Sequence, residues 1–108
     1  MSRVFDDRKK GYEAKFVHDA EQQFRITARR NRLIGLWAAE RMQLTAAEAD
    51  AYAKTVIQAD FEEIGDGDVI GKLIGDLVKN GIEISDIEIR DKLAHFTEIA
   101  RAQIAEEG

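Results

Sequence analysis

Few residues in this chain have the types and spacing to do chemistry. The strongest basic cluster is "RITARRNR" at 25–32, which carries Arg25, Arg29, Arg30 and Arg32, with Trp37 shortly after. Arg25, Arg29 and Arg32 are four and three residues apart, so a helix would place them on one face. Such a face can pair with acidic parts of the same fold. It can also take an anionic partner or a purine nucleotide with Trp37 beside it. A nucleic-acid surface fits poorly, because the sequence pI is near 5.0. The two histidines, His18 and His95, lie far apart and have no metal-ligand spacing. "GDGD" at 65–68 has part of a calcium loop without its other ligand positions or its closing glutamate. There is no phosphate-binding glycine loop and no nucleophile–base set. The chain therefore reads as a non-enzyme that needs no cofactor and no metal, with a purine nucleotide as an optional ligand.

The other candidate is "FDDRKKGYEAKF" at 5–16. Phe5, Tyr12 and Phe16 stand at i, i+7 and i+11, one face of a helix. Asp6, Asp7, Arg8, Lys9, Lys10, Glu13 and Lys15 rim that face with both signs of charge, and Ala14 lies among them. This is the pattern of a helix laid into a partner's groove. Gly11 interrupts it, so the segment on its own is expected to be partly formed and to order fully on binding.

The elements that must hold these residues read as helices throughout. The chain has 108 residues, no proline and no cysteine. That length makes one domain. The missing proline leaves long helices unbroken, and the missing cysteine removes any disulfide framework. An apolar or small stripe runs through Phe5, Tyr12, Phe16, Ala20, Phe24, Ala28, Gly35, Ala38 and Met42, so one helix can extend over 6–42. Thr45 and Glu48 form a capping box for a second helix with Tyr52, Ala53, Val56 and Ile57 on its face. Asp66 is placed to cap a third, with Val69, Ile70, Leu73, Ile74, Leu77 and Val78, which Gly81 ends. Ser85 and Glu88 open a fourth, with Ile89, Leu93, Phe96, Ala100 and Ile104. Gly71 and Gly75 lie inside the third helix. They mark either the close approach of a neighbour or a locally soft helix.

The fold class expected is all-α: a four-helix bundle with a long first helix. The other helices are too short to cover that helix. Its N-terminal part should protrude, or be disordered when free. The expected division is a flexible segment over 1–18 and a bundle over 19–108. Charge divides similarly. Residues 1–32 hold nine basic against five acidic side chains, and residues 33–108 hold seven against sixteen. No apolar run is long enough to span a bilayer, and the start of the chain lacks a signal peptide's apolar core. A cytoplasmic protein is expected.

The stretches "FDDRKKGYEAKFVHD", "ARRNRLIGLWAAE", "AYAKTVIQADFEE", "GDGDV" and "ISDIEIRDKL" together resemble the zeta-subunit family of bacterial F-type ATP synthase inhibitors. The likeness covers nearly the whole chain in order. Val17, Gly71 and Ile74 depart from the family pattern. The resemblance implies a small four-helix bundle that blocks ATP hydrolysis. Its N-terminal helix would wedge at a catalytic α/β interface beside the γ shaft. The inhibitory residues would be those at 5–16 named above. The partners would be the α, β and γ subunits of the catalytic head, on the cytoplasmic face of the membrane-bound synthase. The mode is protein–protein binding. It needs no nucleic acid and no integral membrane segment.

Overall fold

The computed structural model describes the backbone of residues 2–60 and 65–107, and the side chains of these from His18 onward. Four helices follow one another: α1 Ser2–Arg41, α2 Ala46–Ala59, α3 Gly67–Lys79 and α4 Asp86–Glu107. α2 and α4 lie on the two flanks of α1, and α3 closes the bundle between them.

The helix ends follow from local chemistry. α1 stops at a left-handed residue, Gln43 (φ 60°), and the Leu44 N–H returns to the Ala39 carbonyl at 3.0 Å. This is the helix-ending conformation that glycine usually supplies. Thr45 then caps α2. The Glu48 N–H donates to Thr45 Oγ1 at 3.2 Å, and the Thr45 N–H donates to Glu48 Oε1 at 3.0 Å, so the capping box is complete. α3 ends at Asn80, where Gly81 (φ 77°) lets the Ile82 N–H reach the Leu77 carbonyl at 3.0 Å. Ser85 caps α4 by accepting the Glu88 N–H at 3.2 Å, while its hydroxyl meets the Glu88 carboxylate.

The main core joins Ile34, Ala38, Val56, Val69, Ile70, Leu73, Leu77, Ile89 and Leu93, with Trp37, Tyr52 and Phe96 packed at its edge. A separate small cluster joins Ile26 to Ala100 and Ile104, with Leu33 beside it. Val78, expected on the core face of α3, is 56% exposed. At 100° per residue it lies one step further round than Leu77, beyond the buried stripe. Phe24 is also mainly exposed. It lines a groove of about 190 Å³ with Thr27, Ala28, Asn31, Ile57 and Asp60, level with the last turn of α2.

The close helix approach is not at Gly71 or Gly75. A methyl group at either would meet no atom within 4 Å. It is at Gly35, where a Cβ would stand 2.9 Å from the Ala53 Cα. α1 and α2 touch backbone to backbone there.

Candidate functional site

Two regions were singled out by their residues, and the fold treats them differently. The arginines belong to the bundle. Arg25 Nη2 donates to Glu107 Oε2 at 3.2 Å. Arg29 Nη2 donates to Glu107 Oε1 at 2.6 Å, and its Nη1 donates to Gln103 Oε1 at 2.8 Å. Arg32 Nη2 donates to Asp50 Oδ1 at 3.0 Å. The first two thus lean to α4 and the third to α2, so one shared face serves two opposite grooves. The Arg29 guanidinium, with Arg25 beside it, holds the Glu107 carboxyl below its ordinary range. Arg32, helped by Lys54, does the same for Asp50.

Arg30 points the other way. It is 8% exposed, and its Nε and Nη2 donate to Asn31 Oδ1 at 3.0 and 2.9 Å. Nη2 also donates to Asp66 Oδ1 at 2.9 Å. A buried guanidinium is tolerable only when so partnered. Asp66 is the residue before α3, but its carboxylate serves Arg30, and no side-chain cap bond forms at that helix start. The sequence reading did not single out Arg30 and Asn31 as buried. The signal was present: Ile26, Arg30, Ile34 and Trp37 recur at steps of four and three, the core side of α1.

Trp37 is half-buried against the core. The Arg41 guanidinium and the Lys92 ammonium lie 5.7 and 5.5 Å from its ring centre, within cation–π range. The aromatic is thus already occupied by two cations of its own chain. An anionic ligand at Arg25, Arg29, Arg30 or Arg32 would have to compete with Glu107, Asp66 and Asp50. His18 is exposed. His95 is exposed on α4, with its ring edge-on to Phe96 at 5.1 Å. Among the described residues no group of three histidine or carboxylate side chains is arranged to hold a metal ion. No described helix is long and apolar enough to cross a membrane.

The second region is the start of α1. Phe5, Asp6, Asp7, Arg8, Lys9, Lys10, Tyr12, Glu13, Ala14, Lys15 and Phe16 all lie on this helix, and their side chains fall outside the described residues. The backbone geometry decides where they stand. Glu107 of α4 meets α1 at Arg25, Asp60 after α2 borders Phe24 and Thr27, and Asp66 before α3 meets Arg30. α2 and α4 therefore end, and α3 begins, level with residues 24–30. α1 continues from there to Ser2, a further ~33 Å at 1.5 Å per residue. The 67 Å length of the molecule, against 25 and 21 Å across, comes from this extension.

Comparison with known proteins agrees with this architecture. A solution NMR structure of a protein 43% identical in sequence superposes with a TM-score of 0.70, covering 80% of this chain and 98% of the other. No curated protein matches the sequence. The family model described as ATPase inhibitor subunit zeta matches residues 1–103. That match spans nearly the whole chain, so the chain belongs to the ATPase inhibitor subunit zeta family, whose role is regulatory and non-catalytic.

Proposed function

We propose that this chain inhibits ATP hydrolysis by an F-type ATP synthase, using residues 5–16 of α1 as a helical wedge at a catalytic α/β interface beside the γ shaft. The observation that carries the reading is the length of α1. It runs ~33 Å past the level where α2 and α4 end and α3 begins. A helix of that reach can enter a cleft while the bundle remains outside.

The physical account is that of a helix in a groove. Phe5, Tyr12 and Phe16 are its anchors, each contributing ~1.5–3 kcal/mol if fully buried by the partner. Asp6 and Lys10 stand four apart in the order of favourable polarity for a helix. Gly11 weakens the segment by ~1 kcal/mol relative to alanine. Residues 1–18 then form a flexible inhibitory segment, and residues 19–108 hold it. Rotation in the synthesis direction would expel the wedge, leaving synthesis unaffected.

The test is ATP hydrolysis by the isolated catalytic head with the full chain and with a chain lacking residues 1–16. The full chain inhibits. The truncated chain keeps its helical circular dichroism and cooperative melting but loses inhibition. Equal inhibition by both would show that the wedge is not in this segment.

A further inference from the structure

The last turn of α4 grips α1 at the level where α1 leaves the bundle. Gln103 and Glu107 are one turn apart on α4, and Arg25 and Arg29 are one turn apart on α1. The Glu107 carboxylate spans both arginines, at 3.2 and 2.6 Å, and Gln103 takes the other arm of Arg29 at 2.8 Å. Beneath this lattice Ile26 packs on Ala100 and Ile104, apart from the main core. Ile26 is the first buried residue of α1 among those described, and the side chains of residues 18–21 and 23–25 are exposed. Among the described residues, buried support for the long helix therefore begins at the level of this clamp, with Phe24 beside Ile57 and Asp60 on the α2 side.

A helix propagates easily from a formed turn and starts with difficulty without one. If residues 22–29 are held helical, the segment before them grows from a ready template. If they fray, the segment must nucleate its own first turn, and ordering it on a partner costs more.

We propose that Gln103 and Glu107 are positioning residues for the inhibitory segment. They keep the base of the protruding helix formed and aimed along the axis of α1. This rests on the reading that residues 5–16 inhibit hydrolysis. The grip is electrostatic and at the surface, so it is sensitive to salt.

The test uses the full chain with Gln103→Ala and Glu107→Ala combined, and reads two quantities. Amide hydrogen exchange reports protection of residues 18–28, and ATP hydrolysis by the isolated head reports the half-inhibitory concentration. Protection at 18–28 should fall, and the half-inhibitory concentration should rise roughly three- to tenfold, the combined reach of two exposed ion pairs and one hydrogen bond. Complete inhibition should still be reached at high concentration, because the wedge itself is intact. Thr45→Ala, which weakens the bundle at its opposite end, should leave the half-inhibitory concentration unchanged. Arg25→Glu and Arg29→Glu combined with Glu107→Arg rebuild the clamp in reverse, and should restore both protection and inhibition. Four results would each overturn the proposal: unchanged protection, lost protection with unchanged inhibition, an equal loss with Thr45→Ala, or a reversed clamp that restores protection alone. Failure of the inhibitor reading looks different. There the parent chain does not inhibit, or inhibits equally without residues 1–16, while hydrogen exchange still reads the clamp.

Discussion

Replacing glycine by alanine should have opposite effects at Gly35 and at Gly71 or Gly75. All three lie inside helices, so helix propensity alone predicts a gain of about 1 kcal/mol at each. The surroundings decide the sign. A Cβ at Gly35 would stand 2.9 Å from the Ala53 Cα, 3.3 Å from the Ala53 Cβ and 3.3 Å from Val56 Cγ2. Carbon atoms rest comfortably at ~3.5–4.0 Å. The nearest atom is backbone, so no side-chain rotation relieves the contact. α1 and α2 must separate by a sizeable part of an ångström, and the core around Ile34 and Val56 opens with them. Overpacking of this kind costs about 1–3 kcal/mol, and a rigid backbone contact belongs at the upper end. Gly35→Ala should therefore be destabilising by about 2 kcal/mol net, which lowers the melting temperature by about 8–16 °C. At Gly71 and Gly75 an added methyl meets nothing within 4 Å. Each change there should raise the melting temperature by about 4–8 °C. The assay is thermal unfolding by far-UV circular dichroism, checked by guanidinium unfolding. A Gly35→Ala chain as stable as the parent would refute the close approach of α1 and α2. A destabilised Gly71→Ala chain would refute the open outer face of α3.

Two further outcomes follow from polar groups at the helix contacts. Tyr52 Oη donates to Asp76 Oδ2 at 2.8 Å, and Lys72 Nζ donates to the same oxygen at 3.0 Å, tying α2 to α3. Tyr52→Phe should cost about 1 kcal/mol, the usual worth of such a bond, seen as a shift of the guanidinium midpoint without a change in slope; no shift would mean the bond contributes nothing. Stability should also depend on acid. Partial burial pushes Asp76 up, but the Lys72 ammonium and the Tyr52 hydroxyl together outweigh it and hold this carboxyl below its ordinary value of 3.8. The Thr45 backbone and hydroxyl hold Glu48 below 4.5, and Asp50 and Glu107 are depressed by their arginines. Groups with depressed folded values contribute stability that is present above the unfolded value and lost as pH falls through the folded one. The melting temperature should be level above about pH 5 and fall as the pH is lowered below 4.5 and 3.8, and a melting temperature that rises on acidification would reverse this reasoning.

The parts of the fold set by local chemistry were legible in the sequence. Thr45 with Glu48, Gly81 after Asn80, and Ser85 before Glu88 mark helix boundaries because each acts within a few residues of itself. The long reach of α1 was legible too, because it follows from counting residues between breakers. Features that depend on neighbours were not. Gly35 resembled any small residue in an apolar stripe, and only the position of Ala53 makes it a contact. Gly71 and Gly75 had the spacing of a close approach but face open space. Asp66 stands where a cap belongs, yet its carboxylate is taken by Arg30 from a helix 36 residues away in sequence. Long-range pairing of this kind leaves no trace in local spacing.

The pairing of the arginines changes what the uneven charge means. Residues 1–32 carry four more basic than acidic side chains, which suggests a positive arm that seeks an acidic partner. Arg25, Arg29, Arg30 and Arg32 supply much of that excess, and all four pair within the bundle, with Glu107, Asp66 and Asp50. Five basic and three acidic side chains remain in residues 1–17. That is a mixed surface with a small positive balance, and at physiological salt its field is screened within ~8 Å. Attraction at a distance would therefore be a minor part of the binding proposed for it. What distinguishes the segment is Phe5, Tyr12 and Phe16, carried on a helix that extends past its own bundle. The arginines, whose shared face could pair with the fold's own acids or take an anion, do the former, and Arg25 and Arg29 tie the base of that helix to Glu107.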